Sequence, residues 1–224
     1  MKKLIFPSIL ALAVFRAGGV TFTYDNILKD IPDNDPTGVF DSHTIAGGFG
    51  LVTDLNVSLN ISGDYNGDLY ATLVHENDAY AVLLNRVGRS STSSYGYAST
   101  GFNITLDDQT AVDIHNTGFT SGALSGTYQP DARETDPANT LATDSRTAYL
   151  SNFNGIDPSG TWTLFLADLS PGGTSKLVNW QLEFNEAGGA NTVPDSIPYA
   201  GSISVVGLLL FHWVEKRINT KCKL

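Results

Sequence analysis

The sequence predicts an all-β, jelly-roll-like β-sandwich, and three observations lead to it. First, Leu55, Val57, Leu59 and Ile61 alternate with Asp54, Asn56, Ser58, Asn60 and Ser62, the period-two pattern of a strand with one buried face. The same alternation returns in Phe102, Ile104 and Leu106 and again in Val178, Trp180, Leu182 and Phe184. Second, Gly, Pro and Asx turns punctuate the apolar runs, as at residues 62–68, 107–108, 154–155, 157–160 and 171–173. Third, no convincing amphipathic helix interrupts this rhythm, which leaves a sandwich or jelly roll as the way to bury the apolar faces.

In chain order, Lys2 and Lys3 precede an apolar run over 4–15 and the small residues Ala17, Gly18 and Gly19, the layout of a secretory signal peptide over 1–19. The body over 20–185 then holds strands expected at 54–62, 69–74, 79–84, 102–106, 111–114, 161–167 and 178–184. Trp162 and Trp180 fall on strands expected to be neighbours, where large aromatics supply core. Two polar stretches, 89–100 with Tyr95 and Tyr97 and 130–147, read as long surface loops. A small polar linker over 186–196 ends in Val193, Pro194, Asp195 and Ser196. Residues 197–214 form an apolar stretch broken by Pro198, Ser202, Ser204 and His212, short against the ~20 residues a bilayer span needs. The last ten residues, 215–224, carry Lys216, Arg217, Lys221 and Lys223, a basic tail expected on the cytoplasmic side of a membrane.

Composition narrows the function. The 224 residues are 42% apolar and 16% charged, with one cysteine, Cys222, so no intramolecular disulfide staples the fold. Of the 13 cations, three lie in 1–20 and four in 196–224; six remain between, against 22 of the 23 carboxylates, so the body carries a net −16. Such a body repels phosphate backbones, which excludes nucleic acid as a partner. It is rich in hard oxygen ligands. Asp64, Asn66 and Asp68 stand at alternate positions of a turn containing Gly67, a spacing that points ligands at one calcium ion, with a further ligand needed from elsewhere, such as Asp168 or Asp33. The same side chains serve equally well as Asx caps of a hairpin. The sequons at Asn56, Asn60 and Asn103 alternate with core positions on strands.

The order of motifs resembles the P domain (P/Homo B domain) that follows the catalytic domain of subtilisin-like proprotein convertases. The match rests on 154–164 (Asn-Gly-Ile-Asp-Pro-Ser-Gly-Thr-Trp-Thr-Leu), Ala167-Asp168 and Asn179-Trp180-Gln181-Leu182, preceded by Ile31-Pro32-Asp33, Gly67-Asp68-Leu69, Leu83-Leu84-Asn85-Arg86-Val87-Gly88 and Gly126-Thr127-Tyr128-Gln129-Pro130. The resemblance implies a galactose-binding-like sandwich without a catalytic triad of its own. Gly173-Thr174-Ser175 echoes the tripeptide around a subtilisin nucleophile, but it falls in a turn between strands, and none of His43, His75 and His115 has a matching context. The C-terminal arrangement resembles bacterial VPDSG/PEP-CTERM-type sorting signals, with Ile197 where that pattern has Gly. It implies export to the cell envelope, a transient membrane anchor and an exosortase-like processing enzyme. The readings that follow are a non-catalytic cell-surface module, an accessory of a subtilisin-like or kexin-like endopeptidase, or a binder of envelope polysaccharide.

Overall fold

A computed structural model describes residues 12–16 and 19–187, and it is built of eleven strands in two sheets. The strands are β1 (Leu12–Arg16), β2 (Gly19–Tyr24), β3 (Lys29–Ile31), β4 (Asp35–Ile45), β5 (Leu51–Gly63), β6 (Leu69–His75), β7 (Tyr80–Asn85), β8 (Phe102–Leu106), β9 (Leu124–Tyr128), β10 (Gly160–Asp168) and β11 (Ser175–Ala187). The larger sheet runs β1-β2-β11-β5-β8-β9, with β3 also pairing β11, and the smaller runs β4-β10-β6-β7. Every pairing is antiparallel except β8 with β9. Among the described residues no helix is long and apolar enough to cross a membrane. Of the expected signal peptide only residues 12–16 and 19 are described, and the remainder of the expected linker beyond 187, the sorting motif, the span and the tail lie outside the described residues.

The alternating runs become the facing layers of one core. Leu55, Val57, Leu59 and Ile61 of β5 and Trp180, Leu182 and Phe184 of β11 are buried to 1% or less, opposite Trp162, Leu164 and Leu166 of β10. Large apolar side chains removed from water contribute roughly 1.5–3 kcal/mol each, so this interface dominates stability. The two tryptophans are core, but not ladder neighbours: β10 and β11 follow each other in sequence and belong to opposite sheets. Trp162 meets the larger sheet through Phe184, with ring centroids 5.2 Å apart and tilted by 56°. Each indole N–H finds an acceptor, Pro158 O for Trp162 at 2.8 Å and Asp41 Oδ2 for Trp180 at 2.7 Å.

Two sequence expectations are corrected. Residues 111–114 form no strand; Asp113 makes one parallel bridge to Gln129, and the chain then turns through a 3₁₀ segment, Ile114–Asn116. The stretch 130–147 is not a solvated loop either, because Asp131, Ala132, Arg133 and Thr140 are fully buried. Arg133 donates to Asp113 Oδ2 at 2.6 Å and Asp131 Oδ1 at 3.1 Å, and His115 Nδ1 meets Asp131 Oδ2 at 2.7 Å. Ion pairs, not apolar residues, fasten this segment, so its low apolar content does not signal exposure. The other polar stretch also folds back: Asn66 N and Gly67 N donate to Ser99 O and Tyr97 O. A Cβ on Gly67 would lie 2.1 Å from Tyr95 O, so only glycine permits this approach.

Candidate functional site

Three turns meet at one end of the sandwich: β3–β4, β5–β6 and β10–β11. Asp33 Oδ1 accepts from Gly172 N at 3.1 Å, Asp64 O accepts from Ser175 Oγ at 3.3 Å, and Leu169 N donates to Asp68 O at 2.9 Å. The four residues expected to bind calcium are therefore drawn to the same region and then given different tasks. Asp64 is exposed. Asn66 is buried and clamps Gly101, donating to its carbonyl at 2.8 Å and accepting from its N–H at 2.6 Å. Asp68 and Asp168 are brought together, with Asp168 wholly buried. Burial, then the charge of Asp168, pushes the Asp68 carboxyl up to about 6, and burial likewise raises Asp168.

The cation that answers these two carboxylates is Arg86. Its Nη2 lies 2.6 Å from Ser170 Oγ and 3.5 Å from Asp68 Oδ1, and its Nε donates to Gly67 O at 3.0 Å. One Asp168 oxygen accepts from Ser170 N at 3.1 Å, and the other, Oδ2, is buried with no partner among the described residues. No three His, Cys, Asp or Glu side chains among the described residues converge as a metal site requires. As placed, Asn66 is committed to Gly101, Asp64 is exposed, and Arg86 is the cation that faces Asp68. Arg86 was not legible as a partner from sequence, because its backbone adopts a left-handed φ of 51° that no local motif announces.

The outer face of the small sheet carries a second feature. Phe165 and Ala167 of β10 point away from the main core and are still 1% exposed, forming a minor cluster with Phe40, Tyr70 and Leu169. Phe165 packs against Phe40 at 4.8 Å and Tyr70 at 6.3 Å between ring centroids. A cleft of about 220 Å³ opens beside them, floored by Tyr70, Val82 and Phe165 and walled by residues 134–138, with Glu134 and Asp136 on that wall. Sequence reasoning missed this site, although one signal was available. The run 162–167 is almost continuously apolar, which marks a strand buried on both faces.

A polar group inside the sandwich was also unexpected. Asp41 on β4 accepts from Trp180 and meets His43 Nε2 at 2.8 Å, and the His43 ring stacks on Tyr24 at 3.8 Å. Burial pushes the Asp41 carboxyl up, but the hydrogen bonds from His43 and Trp180 and the charges of His43 and Lys29 outweigh it and hold it below the usual range. Asp41 thus ties β4 of one sheet to β11 of the other. Ser175, the serine of the subtilisin-like tripeptide, is buried and spends its hydroxyl on Asp64 O. His75 contacts Ser159 O at 3.0 Å, and His115 contacts Asp131 and Arg89 O.

The profile of the family described as Proprotein convertase P-domain matches residues 52–184. No curated protein matches the chain. Among solved structures, the serine protease of Aeromonas sobria in complex with a chaperone is similar at 16% identity and a TM-score of 0.42, covering 82% of this chain and 28% of that one. The same serine protease on its own gives 16% identity and a TM-score of 0.39, with the same coverages. This chain therefore spans less than a third of the length of those proteins.

Proposed function

Because the chain belongs to the proprotein convertase P-domain family, we propose that it is a non-catalytic binding module of the cell surface, exported by its N-terminal segment and sorted or anchored through its C-terminal tail. Its proposed partner is a separately encoded subtilisin-like endopeptidase. The observation that carries the reading is the aromatic cleft on the outer face of the small sheet, where Phe40, Tyr70 and Phe165 form an apolar cluster outside the main core. A cleft of this kind, with half-buried Tyr70 in its lining and Glu134, Asp136 and Arg86 around it, offers a protein partner a pocket for an apolar anchor with charged groups beside it.

Capture from the envelope fraction tests it. Full-length protein should enrich a protein whose sequence, read by mass spectrometry, is a subtilisin-fold protease, and Tyr70→Glu should abolish the enrichment while leaving the melting temperature of the bait within a few degrees. Enrichment without any subtilisin-fold protein, or capture indifferent to Tyr70→Glu, would refute the docking proposal. The module itself should hydrolyse no peptide or ester substrate, and Ser175→Ala should change nothing in that assay.

A further inference from the structure

The outer face of the larger sheet has a different chemistry, set by register. Thr127, Thr105, Ser58, Gln181 and Thr23 lie opposite one another across β9, β8, β5, β11 and β2. Two residues along each strand, Ser125, Asn103, Asn60 and Asn179 form a second row across four of these strands. Their backbone neighbours Leu59 and Ile104 send side chains into the core, so both rows point outward. Between them runs a trough of about 440 Å³ whose floor is Leu59, Ile104 and Gly126.

All nine positions are uncharged and polar. At the chain's own 16% charged residues, one or two charges are expected among nine positions, and the body around them has a net −16. Charges stand at the margins of the rows, with Asp25 one residue beyond β2, the Lys176–Asp30 pair on one side and Glu183 on the other. Ser58 Oγ and Thr105 Oγ1 are 2.9 Å apart, whereas the amides of Asn60, Asn103, Asn179 and Gln181 have no hydrogen-bond partner among the described residues. Each such amide offers two donors and a carbonyl acceptor. Within a row, side chains repeat at the strand spacing of about 4.8 Å, and the two rows stand about 6.8 Å apart. The first distance is close to one pyranose unit of an extended chain, so a chain laid along the rows meets polar groups at each unit.

We infer that this trough is a binding site for a neutral, β-linked polysaccharide lying across the strands. Neutral hydroxyls match neutral amides and hydroxyls without stranding a charge, whereas a polyanion would meet the acidic field of the body. With no aromatic ring in either row, recognition rests on hydrogen bonds shared over several sugar units, so binding strengthens with chain length. The site lies on the face opposite the aromatic cleft and does not depend on the protease reading.

Affinity electrophoresis of the full chain in native gels containing hydroxyethyl cellulose, or alginate as the anionic comparator, tests the inference. Retardation is expected with hydroxyethyl cellulose and none with alginate. The triple variant Asn60→Ala, Asn103→Ala, Gln181→Ala, all on the surface and outside the core, should lose the retardation by tenfold or more in apparent affinity. Thr44→Ala, an exposed threonine on β4 of the other sheet, should keep it. Migration unaffected by hydroxyethyl cellulose, equal retardation by alginate, or a fully retarded triple variant whose melting temperature matches wild type would each overturn the assignment. Retention by the Tyr70→Glu variant separates this site from the docking surface.

Discussion

Replacing Asp68 by Asn removes a charge that the fold keeps at a cost. In the unfolded chain the carboxyl ionises near 3.8, and in the folded protein burial and the charge of Asp168 push it up to about 6. Because the folded value is raised, the folded state takes up the proton first as pH falls. Stability therefore rises as pH drops from about 6 toward 4, and the penalty is complete above 6. The gap of about 2 units, at roughly 1.4 kcal/mol per unit, caps the penalty at about 3 kcal/mol. The attraction of Arg86, 3.5 Å away, is already contained in that balance.

Asp68→Asn keeps the shape and discards the charge, so its advantage over wild type should be about 1–3 kcal/mol at pH 7.5 and vanish near pH 4. For a domain of this size that is on the order of 2–4 °C per kcal/mol in melting temperature. Thermal unfolding of both proteins at a series of pH values measures the difference directly, cancelling the opposite contributions of Asp41 and Asp113, whose carboxyls the fold holds low. An Asp68→Asn protein destabilised at pH 7.5 and not at pH 4 would refute the reasoning, because the Arg86 ion pair would then outweigh the repulsion. Calcium decides the same point from another side. A rise in the wild-type melting temperature with calcium at pH 7.5, absent in Asp68→Asn, would make this cluster a cation site after all.

Gly67→Ala should cost more than about 2 kcal/mol by urea unfolding, since its Cβ would lie 2.1 Å from Tyr95 O and 2.7 Å from Tyr97 N, both backbone atoms that cannot swing aside. His115 should titrate above its ordinary value by NMR: burial lowers it, but the hydrogen bond and charge of Asp131 prevail, so its stabilising contribution is complete below pH 6.5 and fades as pH rises through the folded value. Mass spectrometry of the native protein should find a C-terminus close to Ser196, and an intact Leu224 in the membrane fraction would instead make the tail a lasting anchor.

Strands with one wet face were legible because alternation reports burial directly, as in β5, β8 and the second half of β11. β4 was not, since its inward positions include Asp41 and His43, and a polar pair satisfied by Trp180 and Tyr24 erases the apolar period. The stretch 111–114 misled in the opposite sense: Ala111, Val112 and Ile114 look like a strand, but Val112 is exposed and Ile114 turns inward at a 3₁₀ segment. At the acidic end, the Gly-Asp-Leu aspartate and distant Asp168 could be paired from sequence, whereas Arg86 and the burial that raises both acids depend on three turns meeting in space. Segment 130–147 shows the general limit. Sequence composition counts apolar residues, and a segment fastened by Arg133, Asp113, Asp131 and His115 contains few of them and only one large one, Leu141.

The two outer faces of the sandwich are physically independent, which makes their separate roles testable together. Packed sheets stand about 10 Å apart, so side chains on one outer face cannot touch a ligand on the other. The core between them is filled by Trp162, Trp180 and Phe184, all wholly buried, and holds its shape when only surface groups change. Substitutions at Tyr70 and at Asn60 therefore share no partner and should act additively, within a few tenths of a kcal/mol, on stability and not at all on each other's binding. Measured in the Tyr70→Glu variant, the triple variant and their quadruple combination, protease capture should follow Tyr70 alone and retardation by hydroxyethyl cellulose should follow Asn60, Asn103 and Gln181 alone. Loss of both bindings from either set of substitutions would mean that one partner spans an edge of the sandwich, and the division of the module into two faces would fall.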